Sequence, residues 1–240
     1  MNVPEAEILL AVALVALYLQ DSALLLHFDE VLVEGGGRGW RVSTGSGLEL
    51  QGRFLLVPNP LLPMRTRFRA SWLRAGTTPA ETADSLARYA RTLWPVRIGS
   101  ALTGVVVLGA MPYSLLGSRD PLQLLAALAA AWLLIIAMFA CLALRRATLQ
   151  LSRRQLGKLA LESLLCPPHA INLYRRLCAM RGFRSDPVAF AATHLPADAR
   201  RRLQTAIEAR LDLFAQADEG AGGRISGLAA ARARIAGQLA

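Results

Sequence analysis

Lysine is almost missing from this 240-residue chain: Lys158 is the one lysine among 27 basic residues, and the others are all arginine. In a chain also crowded with alanine and leucine, that usage reads as the codon bias of a GC-rich bacterial genome, so arginine is not selected for its planar fork at most positions. Cysteine is scarce as well. Cys141 lies inside an apolar run, and Cys166 and Cys178 fall in a segment expected on the reducing side of a membrane, which argues against a disulfide framework. Histidine is limited to His27, His169 and His194, and no phosphate loop, nucleophile elbow, metalloprotease or kinase signature occurs. These absences lower the expectation of an enzyme and imply no cofactor. Ahead of the first apolar run stand Glu5 and Glu7 instead of basic residues, so that run reads as a retained anchor, not a secretory leader.

Long apolar runs are what the chain has instead. An apolar share of 54% against 18% charged residues departs from soluble averages and favours a membrane protein. Pro121 to Leu144 is interrupted only by Gln123 and is long enough to cross the roughly 30 Å hydrocarbon layer. Ile98 to Leu116 carries no charge, and the short Gly117–Pro121 connection makes the two runs an antiparallel hairpin. A third run, Ile8 to Phe28, is interrupted by Gln20, Asp21, Ser22 and His27. An Asp at mid-bilayer costs about 2.5–3.5 kcal/mol and each Leu or Ile contributes about −0.3 to −0.6 kcal/mol, so the run offsets one Asp near an interface. We expect a third span there, the rival being a shorter helix that ends at Asp21 and leads into a strand.

Arginine placement sets the expected orientation. Arg65, Arg67, Arg69, Arg74, Arg88, Arg91 and Arg97 precede the hairpin, and Arg145, Arg146, Arg153, Arg154 and Lys158 follow it, whereas its tip holds Arg119 alone. Both flanks are then cytoplasmic and the acidic N-terminus lies outside, in a bacterial inner membrane.

The fold class expected is a membrane α-helical protein with three transmembrane helices, a small cytoplasmic β-meander insertion and a helical cytoplasmic C-terminal region. Its segments are an N-terminal transmembrane helix (1–28), a β insertion (29–63), a basic juxtamembrane helical segment (64–97), the hairpin (98–144) and a basic helical tail (145–240). Within the insertion, glycine turns separate short β-rich runs, with Trp40/Val42/Thr44 alternating against Arg41/Ser43. Pro58, Pro60 and Pro63 end it. Thr78 and Glu81 around Pro79 form a capping-box pattern that predicts a helix from Pro79. In the tail, Leu203, Ile207, Leu211 and Phe214 make one apolar stripe, and the Ala/Arg-rich end beyond Gly220–Gly223 is expected to fray.

Few residues invite a chemical reading. Asp21 and His27 are ionisable groups at or near membrane depth and therefore functional candidates. Six residues put them about 240° apart on a helix, so they form no relay, and capping or snorkelling is the plainer account. Gly35–Gly39 resembles a phosphate cradle but lacks the Gly-Lys-Ser/Thr ending, and a hairpin turn explains it. Cys166, His169 and Cys178 lack a fourth metal ligand at a usual spacing, which leaves the cysteines as small apolar residues. Ser100/Gly104 and Ala126/Ala130, with Ala127/Ala131 beside them, have the four-residue spacing that brings membrane helices close. Packing of the hairpin against itself is the plainer account, pairing with another subunit the functional one.

Residues from Arg145 onward carry sixteen basic and seven acidic side chains. Nucleic-acid binding would need such a surface, densest at Arg200–Arg202, but stacking aromatics are nearly absent there. Anionic lipid explains the charge more simply, with Arg88, Arg91, Arg97, Arg145, Arg146, Arg153, Arg154 and Lys158 as its contacts. The reading that follows is a non-enzymatic anchor or scaffold, its partners being membrane lipids and another membrane protein or a second copy. A small transport component using Asp21, or a lipid-acting membrane enzyme using Asp21, His27 or His169, are the alternatives.

Overall fold

A computed structural model describes residues 5–36, 39–46, 48–50, 53–57, 59, 64–73, 81–221 and 228–239. The chain is mostly helical with small antiparallel sheets, and it divides into two compact units. One takes Met1–Ala23, Pro58–Met64 and Ala87–Leu177; the other takes Leu24–Val57, Arg65–Leu86 and Cys178–Ala240. The consecutive segments expected from the sequence are thus distributed over two interleaved units.

The first unit is helical. Its α1 (Glu5–Ser22) stops short of the expected Phe28, and the backbone turns into a strand at Leu24. The terminus has a physical cause: Ser22 is buried, its hydroxyl donates to the Tyr18 carbonyl at 2.8 Å, and its own carbonyl is taken by Arg175 Nη1 at 3.0 Å. With its last-turn carbonyls satisfied this way, the helix has no need to continue. The rival reading, a short helix leading into a strand, is the one the structure adopts.

The second apolar run forms a continuous helix from Trp94 to Ser118. It comprises α3 (Trp94–Val105), a π-helical turn (Val106–Ala110), α4 (Met111–Tyr113) and a second π turn (Ser114–Ser118). Pro112 accounts for the widening: it has no N–H to donate, and its ring crowds the carbonyl one turn back, strain that a π turn accommodates. Arg119, at φ 54°, and Asp120 reverse the chain. Helix α5 (Pro121–Leu144) then starts with Pro121 in its first turn and Asp120 Oδ1 accepting from Leu122 N at 2.9 Å. Trp94–Ser118 and Pro121–Leu144 are the two described helices long and apolar enough to cross a membrane.

These two helices pack along a stripe of α5 made by Ala127, Ala131, Ile135, Met138 and Leu142. They pack tightly at Gly99, where an added Cβ would lie 2.4 Å from Met138 Cγ. Of the small residues singled out on α5, Ala127 and Ala131 are buried, whereas Ala126 is exposed and Ala130 half-buried. Ser100 is buried and donates to the Ala170 carbonyl at 2.9 Å, and a Cβ on Gly104 would meet Ile171 at 3.4 Å. The Ser100/Gly104 face of α3 therefore also receives the segment that follows α5. That segment contains α6 (Arg146–Leu149), α7 (Arg153–Leu165), α8 (Pro167–Ile171) and α9 (Leu173–Arg181). A reciprocal capping box between Ser152 and Gln155 starts α7. Tyr18, Val107, Met111, Ala127, Ala131 and Ile171 close the core of this unit.

The second unit holds the strands. They are β1 (Leu24–His27), β2 (Glu30–Gly36), β3 (Gly39–Ser43), β4 (Glu49–Leu50), β5 (Arg53–Leu56) and β6 (Thr66–Ser71). In place of one three-stranded meander they form two three-stranded sheets, ordered β1-β5-β4 and β3-β2-β6. Both flanking strands lie outside the expected 29–63 insertion: β1 comes from the expected first span and β6 from the expected juxtamembrane helix. The pairing of β2 with β3 runs out to Gly36↔Gly39, a hairpin as expected; Gly37 and Arg38 between them lie outside the described residues. Helix α2 (Ala83–Thr92) begins later than predicted. Pro79 and Thr78 lie outside the described residues, but Glu81 and Thr82 are not helical, and Thr82 Oγ1 takes the capping role by accepting from Ser85 N at 3.2 Å. Glu81 instead binds Arg181 and the Arg184 amide.

Helices α10 (Pro187–His194), α11 (Ala197–Ala221) and α12 (Leu228–Leu239) complete this unit. Leu203, Ile207 and Leu211 bury the expected stripe of α11, and Phe214 stacks on Phe28 with centroids 3.9 Å apart. The expectation of a frayed end is corrected: α12 packs on α10 and α11, Ile235 is buried, Arg234 binds Asp186 and the Trp72 carbonyl, and Arg232 binds Asp212.

Candidate functional site

The first unit presents an apolar surface that its own packing leaves open. Leu9 and Val12 on α1, Leu102 and Val105 on α3, and Leu125, Leu133 and Ile136 on α5 are all exposed, several by more than half. Large exposed apolar patches are rare on soluble monomers. Two aromatic residues mark its ends on the continuous helix: Trp94 is 56% and Tyr113 67% exposed. The 19 residue steps from 94 to 113 span roughly 28 Å at about 1.5 Å each, close to the hydrocarbon thickness of about 30 Å.

Charge collects beyond each end. At the Trp94 end lie Arg88 and Arg91 on α2, Arg97 on α3, Arg145, Arg146 on α6, and Arg153, Arg154 and Lys158 on α7. All are exposed except the half-buried Arg146. Arg145 Nη1 donates to the Thr92 carbonyl at 2.6 Å, which sets the ends of α2 and α5 side by side, and Arg97 stands 5.9 Å over the Tyr174 ring. Among the described residues, the only acid paired with these eight is Glu162, 3.8 Å from Lys158. At the opposite end, Glu7 lies 3.9 Å from Arg119 of the hairpin tip, so the acidic start of α1 and the tip are neighbours.

At the arginine-rich end of α1 lies a polar cluster. Asn172 is fully buried, and its Nδ2 donates to Asp21 Oδ2 at 3.0 Å and to Ser22 Oγ at 3.2 Å. Arg175, also buried, donates to the Ser22 carbonyl. Asp21 therefore belongs to the last turn of α1 and has a hydrogen-bond partner there, instead of facing the apolar surface alone. Sequence reasoning does not single out Asn172 or Arg175; a buried polar pair inside an otherwise ordinary helix pattern gives no local signal. The other expected candidate, His27, belongs to the second unit, where it is exposed on β1 opposite Arg53.

The histidines and cysteines form no metal-holding group among the described residues. His194 is exposed, and its Nδ1 sits 3.0 Å from the Phe190 carbonyl. Burial pushes the Cys166 thiol up, which disfavours the thiolate that would bind metal or react. Among the described residues no group of three or more His, Cys, Asp or Glu could hold a metal ion.

This geometry makes a prediction for Asp21. An Asp21→Asn change keeps an acceptor for Asn172, so folding and membrane abundance should stay at wild-type level. Asn172→Leu strips the donor from the half-buried Asp21 carboxylate and the buried Ser22 hydroxyl and should cost about 1–3 kcal/mol. Thermal unfolding in detergent checks the contrast, and equal loss in both variants would show that the Asp21 charge matters in itself. No family model, curated protein or solved structure matches this chain.

Proposed function

We propose that the chain is an integral protein of a bacterial inner membrane that anchors or scaffolds partner proteins on the cytoplasmic side. On this reading α1 crosses beside the hairpin, the N-terminus and hairpin tip lie outside, and the arginine-rich end and the sheet-containing unit lie inside. The carrying observation is the open apolar surface of α1, α3 and α5, with an arginine collar beyond one end and Glu7 with Arg119 beyond the other. That arrangement matches a bilayer whose cytoplasmic leaflet is anionic. The 18 residues of α1 cover roughly 27 Å at about 1.5 Å each, enough to cross with its ends at the interfaces. Transport through Asp21 is less well supported, because its carboxylate lies in the last turn beside Asn172 and not along the length of the helix.

The test combines topology with partners. Reporter fusions after residue 118 should report export, and fusions at residue 240 should report the cytoplasm. A tagged protein solubilised in mild detergent should bring down a stoichiometric partner or a second copy. A chain released by alkaline carbonate, or an exported C-terminal reporter, would defeat the membrane reading; a clean monomer in the native host would defeat the scaffold.

A further inference from the structure

In the β3-β2-β6 sheet, β3 is an outer strand, with no neighbouring strand on one side among the described residues. Along it runs a groove of about 700 Å³, a size typical of ligand sites. One wall is the consecutive run Trp40 to Thr44 and the other is the first turns of α11 around Pro196, Asp198, Arg202 and Ala206. Side chains of a strand alternate between its two faces, so five consecutive residues line one groove when the strand turns its backbone edge toward it. Among the described residues, no backbone group of this run bonds to any backbone outside the β2–β3 ladder. Such an edge is a template for an added strand.

The sheet also specifies what chemistry would continue it. The register aligns Arg67, Glu34 and Arg41 in one cross-strand row, and Arg67 Nε bonds Glu34 Oε1 at 2.7 Å. Arg41, exposed at the end of this row, has no ion pair among the described residues. Arg202 and Asp198 on the opposite wall pair with each other, leaving Arg41 as the uncompensated charge of the groove. A carboxylate opposite it would continue the alternation, since opposite charges directly across strands stabilise and like charges do not. The adjacent rows end in Trp40 and Val42, so the residues flanking that carboxylate would lie beside apolar side chains.

We infer that this groove takes an extended segment of a partner protein, added as a further strand on β3, with an acidic residue opposite Arg41 and apolar residues on either side of it. The inference rests on the scaffold reading and assigns it a docking site. A second copy offering its own β3 fits less well, because pairing centred on Arg41 would bring arginine toward arginine.

The experiment titrates the full-length protein in detergent with fluorescein-labelled octapeptides. One alternates valine and glutamate, one alternates valine and lysine, and two glutamate versions carry N-methyl groups on one or the other set of alternate amides. The glutamate peptide should bind about tenfold more tightly than the lysine peptide, and Arg41→Glu should invert that preference. Of the two methylated peptides one should lose about tenfold and the other far less, since only alternate amides face the ladder. Identical binding to wild type and Arg41→Glu, equal effects of the two methylations, or no binding below about 1 mM would each overturn the site. So would a concentration-dependent dimer abolished by Arg41→Glu. If Arg41→Glu still co-purifies the wild-type partner, the site is wrong and the scaffold stands; if neither protein retains a partner, the scaffold itself fails.

Discussion

Replacing Leu133 and Ile136 together with arginine should remove the protein from the carbonate-resistant membrane fraction. Both side chains are exposed, three residues apart near the middle of α5. On insertion scales each arginine at a helix centre costs about 2.5–3.5 kcal/mol where each leucine or isoleucine contributes about −0.3 to −0.6 kcal/mol, so the pair costs about 6–8 kcal/mol. In water the same exchange of two exposed apolar side chains stays within about 0.5 kcal/mol per site and improves solubility. The two environments therefore predict opposite outcomes from one variant. A matching control is Gly157→Arg on α7, where an added Cβ meets nothing within 4 Å; it should leave location unchanged. If the double variant accumulates in the membrane at wild-type abundance, this face of α5 does not meet lipid.

Arg210→Met should destabilise the second unit by about 3–5 kcal/mol. Arg210 lies in mid-helix on α11 yet is only 4% exposed. Its Nη1 donates to the carbonyls of Glu30 at 2.8 Å and Phe28 at 3.3 Å, and its guanidinium stands 4.0 Å over the Phe54 ring. It thus ties the turn between β1 and β2 to α11 and stacks on β5. Burial lowers its pKa to about 10, with Asp29 and Glu30 opposing the shift, so it remains a cation at neutral pH. Methionine keeps much of the volume but leaves two carbonyls without their donor and forfeits the ring contact. Arg210→Lys should recover part of the loss, because an ammonium donates to the carbonyls but does not stack as a planar group. Limited proteolysis of the full-length protein in detergent, read at residues 24–57, would register the ranking. Equal resistance of wild type and Arg210→Met would show that the two carbonyls find other donors.

How much of this is legible in the sequence depends on the range of the interaction that decides each element. The bounds of α5 are readable because apolarity interrupted only by Gln123, Pro121 at the start and arginines at the end are all local. The hairpin follows from the length of the 117–121 connection. The end of α1 is not readable in the same way, because Ser22 is held by Asn172 and Arg175, some 150 positions away. Strand β6 does carry a local signal, with Phe68, Ala70 and Trp72 alternating against Arg67, Arg69 and Ser71. Its arginines mimic a membrane collar in the sequence, whereas in the fold Arg67 and Arg69 pair across the sheet with Glu34 and Glu30. In the candidate site, Asp21 is visible as an ionisable group at the edge of an apolar run, but its partner is not, since a lone Asn in a helical segment looks like any solvated position. Helix α12 gives a misleading local signal: alanine and arginine with few large apolar residues suggest fraying, yet the buried Ile235 and two arginine anchors hold it in place.

The interleaving of the two units constrains how the protein is made. Strands β1 to β6 leave the ribosome before either hairpin helix, but α10, α11 and α12, which complete their unit, are translated only after both. Edge strands with an exposed hydrophobic face then wait through the synthesis of roughly a hundred residues, and such strands are prone to mispairing. Membrane integration of the hairpin would proceed while its companion unit is still incomplete, so holdase chaperones active during translation should matter more for this chain than for one whose soluble part is encoded in a single stretch.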